Sequence, residues 1–227
     1  MTPYQFVKPE SEGNAAHLYI LGDIQEGRWT YNGGESPITL KEKIDQCGAT
    51  ELVCHINSYG GATSGGITMY NLLKNCGIKV TTIAEGFCAS AASLVFMAGE
   101  KRVMRGASLL MIHNAWTYTE GNAKELRKTA EDLDKISKTA ANIYRDSVSI
   151  DDETLEKLLD AETWITPEEA VQWGFATEVE SEEENEDEAY SSVFQSVKNA
   201  LRNHPEPSRN QPKPPKTAFQ KYFKNFM

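Results

Sequence analysis

Apolar residues along this chain occur in two kinds of pattern: short continuous runs, and longer segments with an apolar residue every three or four positions. The short runs predict buried strands, at residues 17–21, 51–56, 79–84 and 109–112. The longer segments predict helices, at residues 38–47, 63–75, 91–98, 122–147, 151–161 and 167–173. Strands that are apolar throughout and alternate with helices are typical of a parallel sheet covered on both faces, so the pattern predicts an α/β fold.

The segment 122–147 is the longest predicted helix. Its apolar residues fall on one side, and they are Leu126, Leu133, Ile136, Ala140 and Ile143. Charged residues occupy most of the remaining surface. Because an amphipathic helix must bury its apolar side, we expect this one to leave the body of the protein and contact a partner subunit.

The charge of the chain is concentrated near its carboxyl end. The net charge is −10, and residues 178–188 hold eight acidic residues and no basic one, whereas residues 189–227 hold seven Lys or Arg and one Glu. Such acidic runs stay solvated, and the proline-rich stretch 205–215 predicts an extended linker. We therefore predict an N-terminal segment 1–16, a globular domain 17–179 and a disordered tail 180–227, acidic and then proline-rich and basic.

Composition argues against several classes of protein. An acidic domain lacks the basic face that nucleic-acid binding requires. No apolar run reaches the ~20 residues that span a membrane, and residues 1–14 lack the pattern of a secretory signal, so we expect a cytoplasmic protein. The four cysteines have neither CxxC nor zinc-ligand spacing, so we expect reduced structural thiols, no metal site and no cofactor.

Three short motifs, each after a predicted strand, carry groups that are able to do chemistry. Residues 57–61 (NSYGG) contain a glycine pair that lets the backbone turn sharply and point an N–H at a ligand. Ser90 lies between a predicted strand and a predicted helix, where free N–H groups favour developing negative charge. His113 ends the predicted strand 109–112, where a loop can present its imidazole at the edge of the sheet.

Each motif also has a purely structural explanation. Glycine pairs make ordinary turns, a serine at this place can cap the helix, and a lone histidine is often structural. Elimination among the four histidines favours His113 as a base. His204 lies in the predicted tail, His17 begins the first predicted strand, and His55 lies inside an apolar strand as a core histidine.

Together the motifs resemble those of the proteolytic subunit of the Clp protease, over about residues 17–179. The family's INSPGG is similar to residues 56–61 (INSYGG), its GxAASMG to residues 86–92 (GFCASAA), and its MIHQP to residues 111–115 (MIHNA). Its DRFxSAxEA and YGL blocks are similar to residues 162–170 (ETWITPEEA) and 173–175 (WGF). The resemblance implies the Clp protease and crotonase type of α/β fold, with repeated ββα units and a protruding handle helix at 122–147.

The resemblance also implies a serine endopeptidase with assignable residues. Ser90 is the nucleophile, His113 is the general base, and the backbone N–H groups of Gly61 and Ala91 form the oxyanion hole. The acid that orients the histidine falls on Glu162, where the family usually has aspartate. Asp160 is the alternative, two residues earlier.

For partners, the resemblance implies a homo-oligomer, as a ring or stacked rings, acting on polypeptides. Residues 1–16 and 23–47 do not match the family segments that receive substrate from an ATPase, which argues against that partner. An acidic and proline-rich extension is similar to that of bacteriophage head-maturation (prohead) proteases, which cleave capsid and scaffold proteins. We therefore expect a phage-type maturation peptidase. The alternatives are a cellular Clp subunit, a crotonase-fold enzyme and a catalytically silent ring protein.

Overall fold

The computed structural model describes residues 4–7, 14–24 and 37–180, with side chains for 14–24 and 40–180. The strands β1 to β8 are Tyr4–Val7, Ala15–Leu21, Glu51–Ser58, Lys79–Ala89, Lys101–Arg105, Leu109–Ile112, Thr163–Ile165 and Glu178–Glu180. The helices α1 to α6 are Pro37–Cys47, Thr63–Lys74, Ala91–Phe96, Ala123–Arg145, Asp152–Asp160 and Pro167–Gln172. Strands and helices therefore alternate over much of the chain, as the apolar pattern predicts, with β1 followed by β2, β5 by β6 and α4 by α5.

A mostly parallel sheet forms the centre of the fold. Its strands lie in the order β1-β2-β3-β4-β5-β8, with β6 beside β4 and β7 beside β6. The pairs β1–β2 and β6–β7 are antiparallel and the other pairs are parallel. The first half of β4 pairs with β5 and its second half with β6. The predicted parallel α/β fold is confirmed.

All six helices contribute buried residues to one hydrophobic core. Alternate residues of the central strands supply the sheet side of this core, such as Leu52, Cys54 and Ile56 of β3. The opposite face of the sheet carries His55 of β3 and Tyr19 of β2, whose rings stack with centroids 4.5 Å apart. Within the described residues, helices therefore cover one face, and aromatic and polar side chains line the other. The prediction of a sheet covered on both faces is wrong for this part of the chain.

Helix α4 projects from this core. Asn122 caps its start by accepting hydrogen bonds from the N–H groups of Lys124 and Glu125. The buried residues of α4 are confined to its carboxyl-terminal end, beginning at Ala141. Much of the predicted apolar stripe is exposed, as at Leu126, so the protruding helix is confirmed. In the part of the chain that the structure describes, no helix is both long and apolar enough to cross a membrane.

Four strands lie where the apolar pattern predicts none: β1, β5, β7 and β8. Strand β8 contains Glu178 and Glu180, the first residues of the acidic run. Lys101 pairs with Glu178 at 2.8 Å, and Arg105 pairs with Glu180. The basic side chains of Lys101 and Arg105 in β5 thus hold the first residues of the acidic run against the sheet. Glu180, the first residue of the predicted disordered tail 180–227, lies in β8, and residues 181–227 are outside the described residues.

Candidate active site

Ser90 occupies a strained turn between β4 and α3. Its φ is 54° and its ψ is −125°, in a region that non-glycine residues rarely adopt. Its N–H donates to the carbonyl of Met111 at 2.8 Å, and its carbonyl accepts from the N–H of Ser93 at 2.9 Å. The Ser90 side chain makes no capping hydrogen bond. Helix capping therefore does not explain this serine, and its hydroxyl is available for chemistry.

His113 follows β6 directly and contacts the serine. Its Nε2 lies 2.6 Å from Ser90 Oγ. The two residues are brought together because β6 pairs with the last residues of β4. Burial lowers the pKa of His113, and the negative charge of Glu162 partly opposes this shift. The imidazole is therefore neutral near pH 7 and able to accept the serine proton.

The two candidate acids differ in their surroundings. Glu162 sits in the turn between α5 and β7 with φ 51°, close enough for its charge to act on His113. Asp160 accepts a hydrogen bond from Asn114 Nδ2 at 2.7 Å. Among the described residues, no hydrogen bond joins His113 to either carboxylate. The influence of its charge on His113 therefore favours Glu162 over Asp160 as the acid that orients the histidine. This assignment stays a prediction.

The glycine pair includes a residue, Gly60, that lies against Ser90. A Cβ on Gly60 would lie 2.6 Å from the Cβ of Ser90, and one on Gly61 would lie 2.0 Å from the carbonyl oxygen of Ile24. Both positions have positive φ, 95° and 142°, so each needs glycine for conformation and for space. The N–H groups of Gly61 and Ala91 donate to no group in the described ranges. Within the described residues, both predicted oxyanion donors therefore lack a protein acceptor.

Polar side chains around this loop were not predicted from the sequence. Asn57 Oδ1 accepts from the N–H of Phe87 at 3.1 Å, and Ser58 Oγ accepts from the N–H of Gly60 at 3.0 Å. The register of β3 against β4 shifts between Ile56 and Ser58. Such an irregularity re-aims the backbone beside a site. In the sequence, the only local indication of these hydrogen bonds is that the polar residues Asn57 and Ser58 precede the two glycines.

Ser93 is a further residue whose part at the site the sequence did not reveal. Its Oγ hydrogen-bonds the carbonyl oxygen of Ser90 at 2.5 Å and the hydroxyl of Tyr144 at 2.7 Å. Ser93 is the single polar residue of α3 (AASLVF), and this position in the sequence indicates that its hydroxyl needs a hydrogen-bond partner. No local signal points to Tyr144, because it lies 51 residues away.

The other described histidines belong to a different cluster. His17 Nδ1 lies 3.0 Å from His55 Nε2, and His55 Nδ1 lies 2.6 Å from Glu85 Oε1. His55 is 4% exposed and hydrogen-bonded on both ring nitrogens. It is therefore structural and buried, as predicted, but it lies on the sheet face opposite the hydrophobic core. His204 lies outside the described residues.

The cysteines are free thiols. Cys54, Cys76 and Cys88 are buried and Cys47 is half-buried. Burial raises the pKa of Cys54 and of Cys88, which disfavours the reactive thiolate. No group of three or more His, Cys, Asp or Glu able to hold a metal ion occurs within the described ranges.

The family model described as Clp protease matches residues 43–183 of this chain. The ATP-dependent Clp protease proteolytic subunit of Deinococcus radiodurans is 29% identical over 131 residues, which are 57% of this chain and 64% of that protein. The subunit of the same name from Bacteroides thetaiotaomicron is 28% identical over 164 residues, 71% of this chain and 73% of that protein. A solved structure of a ClpP1 mutant from Listeria monocytogenes has a TM-score of 0.59 at 20% identity, covering 74% of this chain and 92% of that one.

These similarities differ in what they establish. The Listeria structure supports the fold alone, because its sequence identity is low. The chain spans just under two thirds of the length of the Deinococcus protein. The family model covers more than half of the chain, and the serine elbow, the glycine loop and the histidine all lie inside the matched stretch. The chain therefore belongs to the Clp protease family.

Proposed function

We propose that this protein is a serine endopeptidase of the Clp type. The observation that carries the proposal is the 2.6 Å contact between Ser90 Oγ and His113 Nε2, beside two backbone N–H groups that have no partner among the described residues. A nucleophile in contact with a base, next to oxyanion donors, is the arrangement of acyl-transfer hydrolases. A crotonase-type enzyme uses the oxyanion donors but does not need the Ser90–His113 pair.

The reaction has two stages. Ser90 Oγ attacks the scissile carbonyl carbon while His113 Nε2 takes the serine proton. The N–H groups of Gly61 and Ala91 stabilise the oxyanion, and His113 then protonates the leaving amine. In the second stage His113 accepts a proton from water, the hydroxide attacks the acyl-enzyme, and Ser90 regains its proton as the new carboxyl terminus leaves.

We propose Glu162 as the acid that stabilises the imidazolium form of His113. Its charge acts on His113 in the described chain, whereas Asp160 is engaged by Asn114. Glu162 lies in an exposed turn, and a hydrogen bond from His113 Nδ1 to its carboxylate would require that turn to move. Closure of this contact in an oligomer or with substrate is consistent with catalytic hydrogen bonds that tighten only in the working complex.

For substrate, we propose capsid or scaffold proteins during bacteriophage head assembly, in the cytoplasm of the host cell. The acidic and then proline-rich composition of residues 180–227 supports this choice. The second candidate is a cellular Clp subunit that degrades unfolded polypeptides with an ATPase. It is favoured by the names of the two curated relatives, which are ATP-dependent proteolytic subunits. Both candidates act as a homo-oligomeric ring or as stacked rings.

A fluorophosphonate probe tests the activity. We expect the full-length protein to be labelled, Ser90→Ala to lose the label, and Asp160→Asn to keep it. Absence of labelling in the wild type, with and without capsid protein, would favour a silent or crotonase-like protein.

Incubation with capsid and scaffold proteins, or with an unfolded protein plus a Clp ATPase and ATP, separates the two substrate classes. Discrete capsid fragments without ATP support the phage role, and ATP-dependent loss of the unfolded protein supports the cellular one.

A further inference from the structure

A buried chain of hydroxyl groups ends on the backbone of the nucleophile. Tyr144, near the carboxyl end of α4, hydrogen-bonds Ser93 at 2.7 Å, and Ser93 hydrogen-bonds the Ser90 carbonyl oxygen at 2.5 Å. Ser93 is fully buried and Tyr144 is 2% exposed. Buried hydroxyls without partners are costly, so each member of this chain depends on the next.

The direction of proton donation in this chain is determined by its chemistry. A carbonyl oxygen only accepts, so the single proton of Ser93 Oγ goes to the Ser90 carbonyl. The remaining contact of Ser93 is then an acceptor, and the Tyr144 hydroxyl must donate to it. Burial raises the pKa of Tyr144, so this hydroxyl remains a protonated donor over the working range of pH. The chain therefore runs from Tyr144 through Ser93 to Ser90.

The acceptor at the end of this chain belongs to a peptide group with a second role. The carbonyl of Ser90 and the N–H of Ala91 are parts of one planar trans peptide, so they point in opposite directions. Holding the carbonyl oxygen fixes the direction of the N–H. A hydrogen bond to the carbonyl also polarises the peptide and makes its N–H a stronger donor. The Ser90 carbonyl also accepts from the Ser93 N–H at 2.9 Å. The shorter bond from the Ser93 hydroxyl is a second restraint on a turn that is held at a strained φ.

We propose that Ser93 and Tyr144 are positioning residues that aim the Ala91 N–H into the oxyanion hole by holding the Ser90 carbonyl on the opposite side of the same peptide group. The proposal rests on the proposed peptidase function. It also gives the carboxyl end of α4, the helix that projects from the core, a direct connection to the nucleophile turn.

The test is the second-order rate constant of fluorophosphonate labelling of the full chain, since the phosphonyl oxygen occupies the oxyanion hole. We expect Ser93→Ala to slow labelling about 10- to 100-fold, as for a misplaced oxyanion donor. Because His113 is untouched, the pH midpoint of labelling should be unchanged. The double variant Ser93→Ala/Tyr144→Phe removes the unpaired tyrosine hydroxyl, so we expect its melting temperature to recover while its labelling stays slow.

Thr82→Val is the matched control. Thr82 is buried, and its hydroxyl donates to the carbonyl of Phe96 at the other end of α3, at 2.7 Å. We expect this variant to lose stability but to label at the wild-type rate. Wild-type labelling by Ser93→Ala, recovery of rate with stability in the double variant, or equal slowing by Thr82→Val would each overturn this proposal alone. An unlabelled wild type would overturn the proposed function as well.

Discussion

Two single residues are central to the proposed reactivity of the site, Ser90 because of its backbone conformation and His113 because of its surroundings. The Ser90 turn points the hydroxyl away from helix capping and toward Nε2 of His113, 2.6 Å away. Burial lowers the pKa of His113, and the charge of Glu162 raises it. The base is thus kept neutral by desolvation and is stabilised in its charged form by one nearby carboxylate.

Replacement of Glu162 by Gln tests this balance. Activity requires the neutral imidazole, which predominates above the pKa of His113. Removing the carboxylate removes the influence that raises this pKa, so we expect the rate–pH curve to shift to lower pH. We also expect the plateau rate to fall by at least about tenfold, because the imidazolium loses its counter-charge. Labelling rates measured across pH would contradict the assignment if Asp160→Asn, rather than Glu162→Gln, moved the midpoint.

Gly60 is the residue whose replacement should disturb the nucleophile most directly. A Cβ there meets backbone and side-chain atoms of residues 89–91 at 2.6 to 2.9 Å, and φ is 95°. We expect Gly60→Ala to abolish labelling and to lower the free energy of unfolding by about 1–3 kcal/mol. Gly77→Ala is the control, because Gly77 has a similar φ of 85° with no atom near its Cβ position. It should lose stability, measured by urea unfolding, and keep full labelling.

Among the elements, a polar row crosses the sheet on the face away from the helices. Glu85 of β4 accepts from His55 of β3 at 2.6 Å and from Arg105 of β5 at 3.2 Å. His17 of β2 and Glu180 of β8 extend the row to both sides. Burial raises the pKa of Glu85, but the hydrogen bonds and charges of His55 and Arg105 outweigh it and lower this pKa. Glu85 is therefore ionised, and its carboxylate links β4 to β3 through His55 and to β5 through Arg105.

Replacement of Glu85 by Gln should weaken the sheet in a pH-dependent manner. Because the folded-state pKa is depressed, the carboxylate's contribution is present above the unfolded-state pKa and is lost as pH falls through the folded-state value. We expect a loss of about 1–3 kcal/mol near neutral pH and a smaller difference at about pH 4. Urea unfolding measures it. The exposed pair Lys101–Glu178 provides the control Glu178→Gln, expected to cost less than about 1 kcal/mol.

For the whole molecule, two features decide how its parts are joined. The guanidinium of Arg102 donates to the carbonyls of Phe175, Gly99 and Gly174 at 2.7, 3.0 and 3.1 Å, which fastens the segment before β8 to the sheet. The buried residues of helix α4 lie at its carboxyl-terminal end, and exposed apolar residues, Leu126 and Ile136, occur earlier in the helix. An amphipathic helix of this kind is suited to pack against another copy of the chain.

The apolar stripe of α4 should therefore support assembly. Leu126 and Ile136 are 41% and 40% exposed. We expect the double variant Leu126→Glu/Ile136→Glu to shift the sedimentation profile from a ring or stacked rings to smaller species, with little change in melting temperature. Lys135→Glu, on the opposite side of the same helix, is the control and should sediment as the wild type does. Equal masses for the wild type and the double variant would show that α4 is not an assembly surface.

Much of the fold and the core of the site were accessible from the sequence because their signals are local. The spacing of apolar residues over a short stretch indicates a helix or a strand. The small residues around Ser90 indicate a tight turn between a strand and a helix. His113 was singled out by its position at the end of an apolar strand, and the glycine loop by its two glycines. These predictions depend on neighbours along the chain, and the structure brings Ser90 and His113 into contact as the motifs indicated.

Other features depend on residues that are distant in sequence. Strand β5 interrupts its apolar pattern with Arg102, whose guanidinium donates to the distant carbonyls of Phe175 and Gly174 as well as to the nearby carbonyl of Gly99. Glu178 and Glu180 belong by composition to a solvated run, yet bases of β5 draw them into β8. The difference between Asp160 and Glu162 follows from the position of Asn114.

By itself the sequence determined the six helices, four of the eight described strands, the mostly parallel arrangement and the candidate pair Ser90–His113, since periodicity and small-residue turns act over short distances. Only the tertiary structure decided which buried polar groups satisfy one another. The hydroxyl chain from Tyr144 through Ser93 exists because α4 returns its last turn to the start of α3. A polar group is tolerated inside a protein only when its partner is present, and that partner is specified by the closed fold.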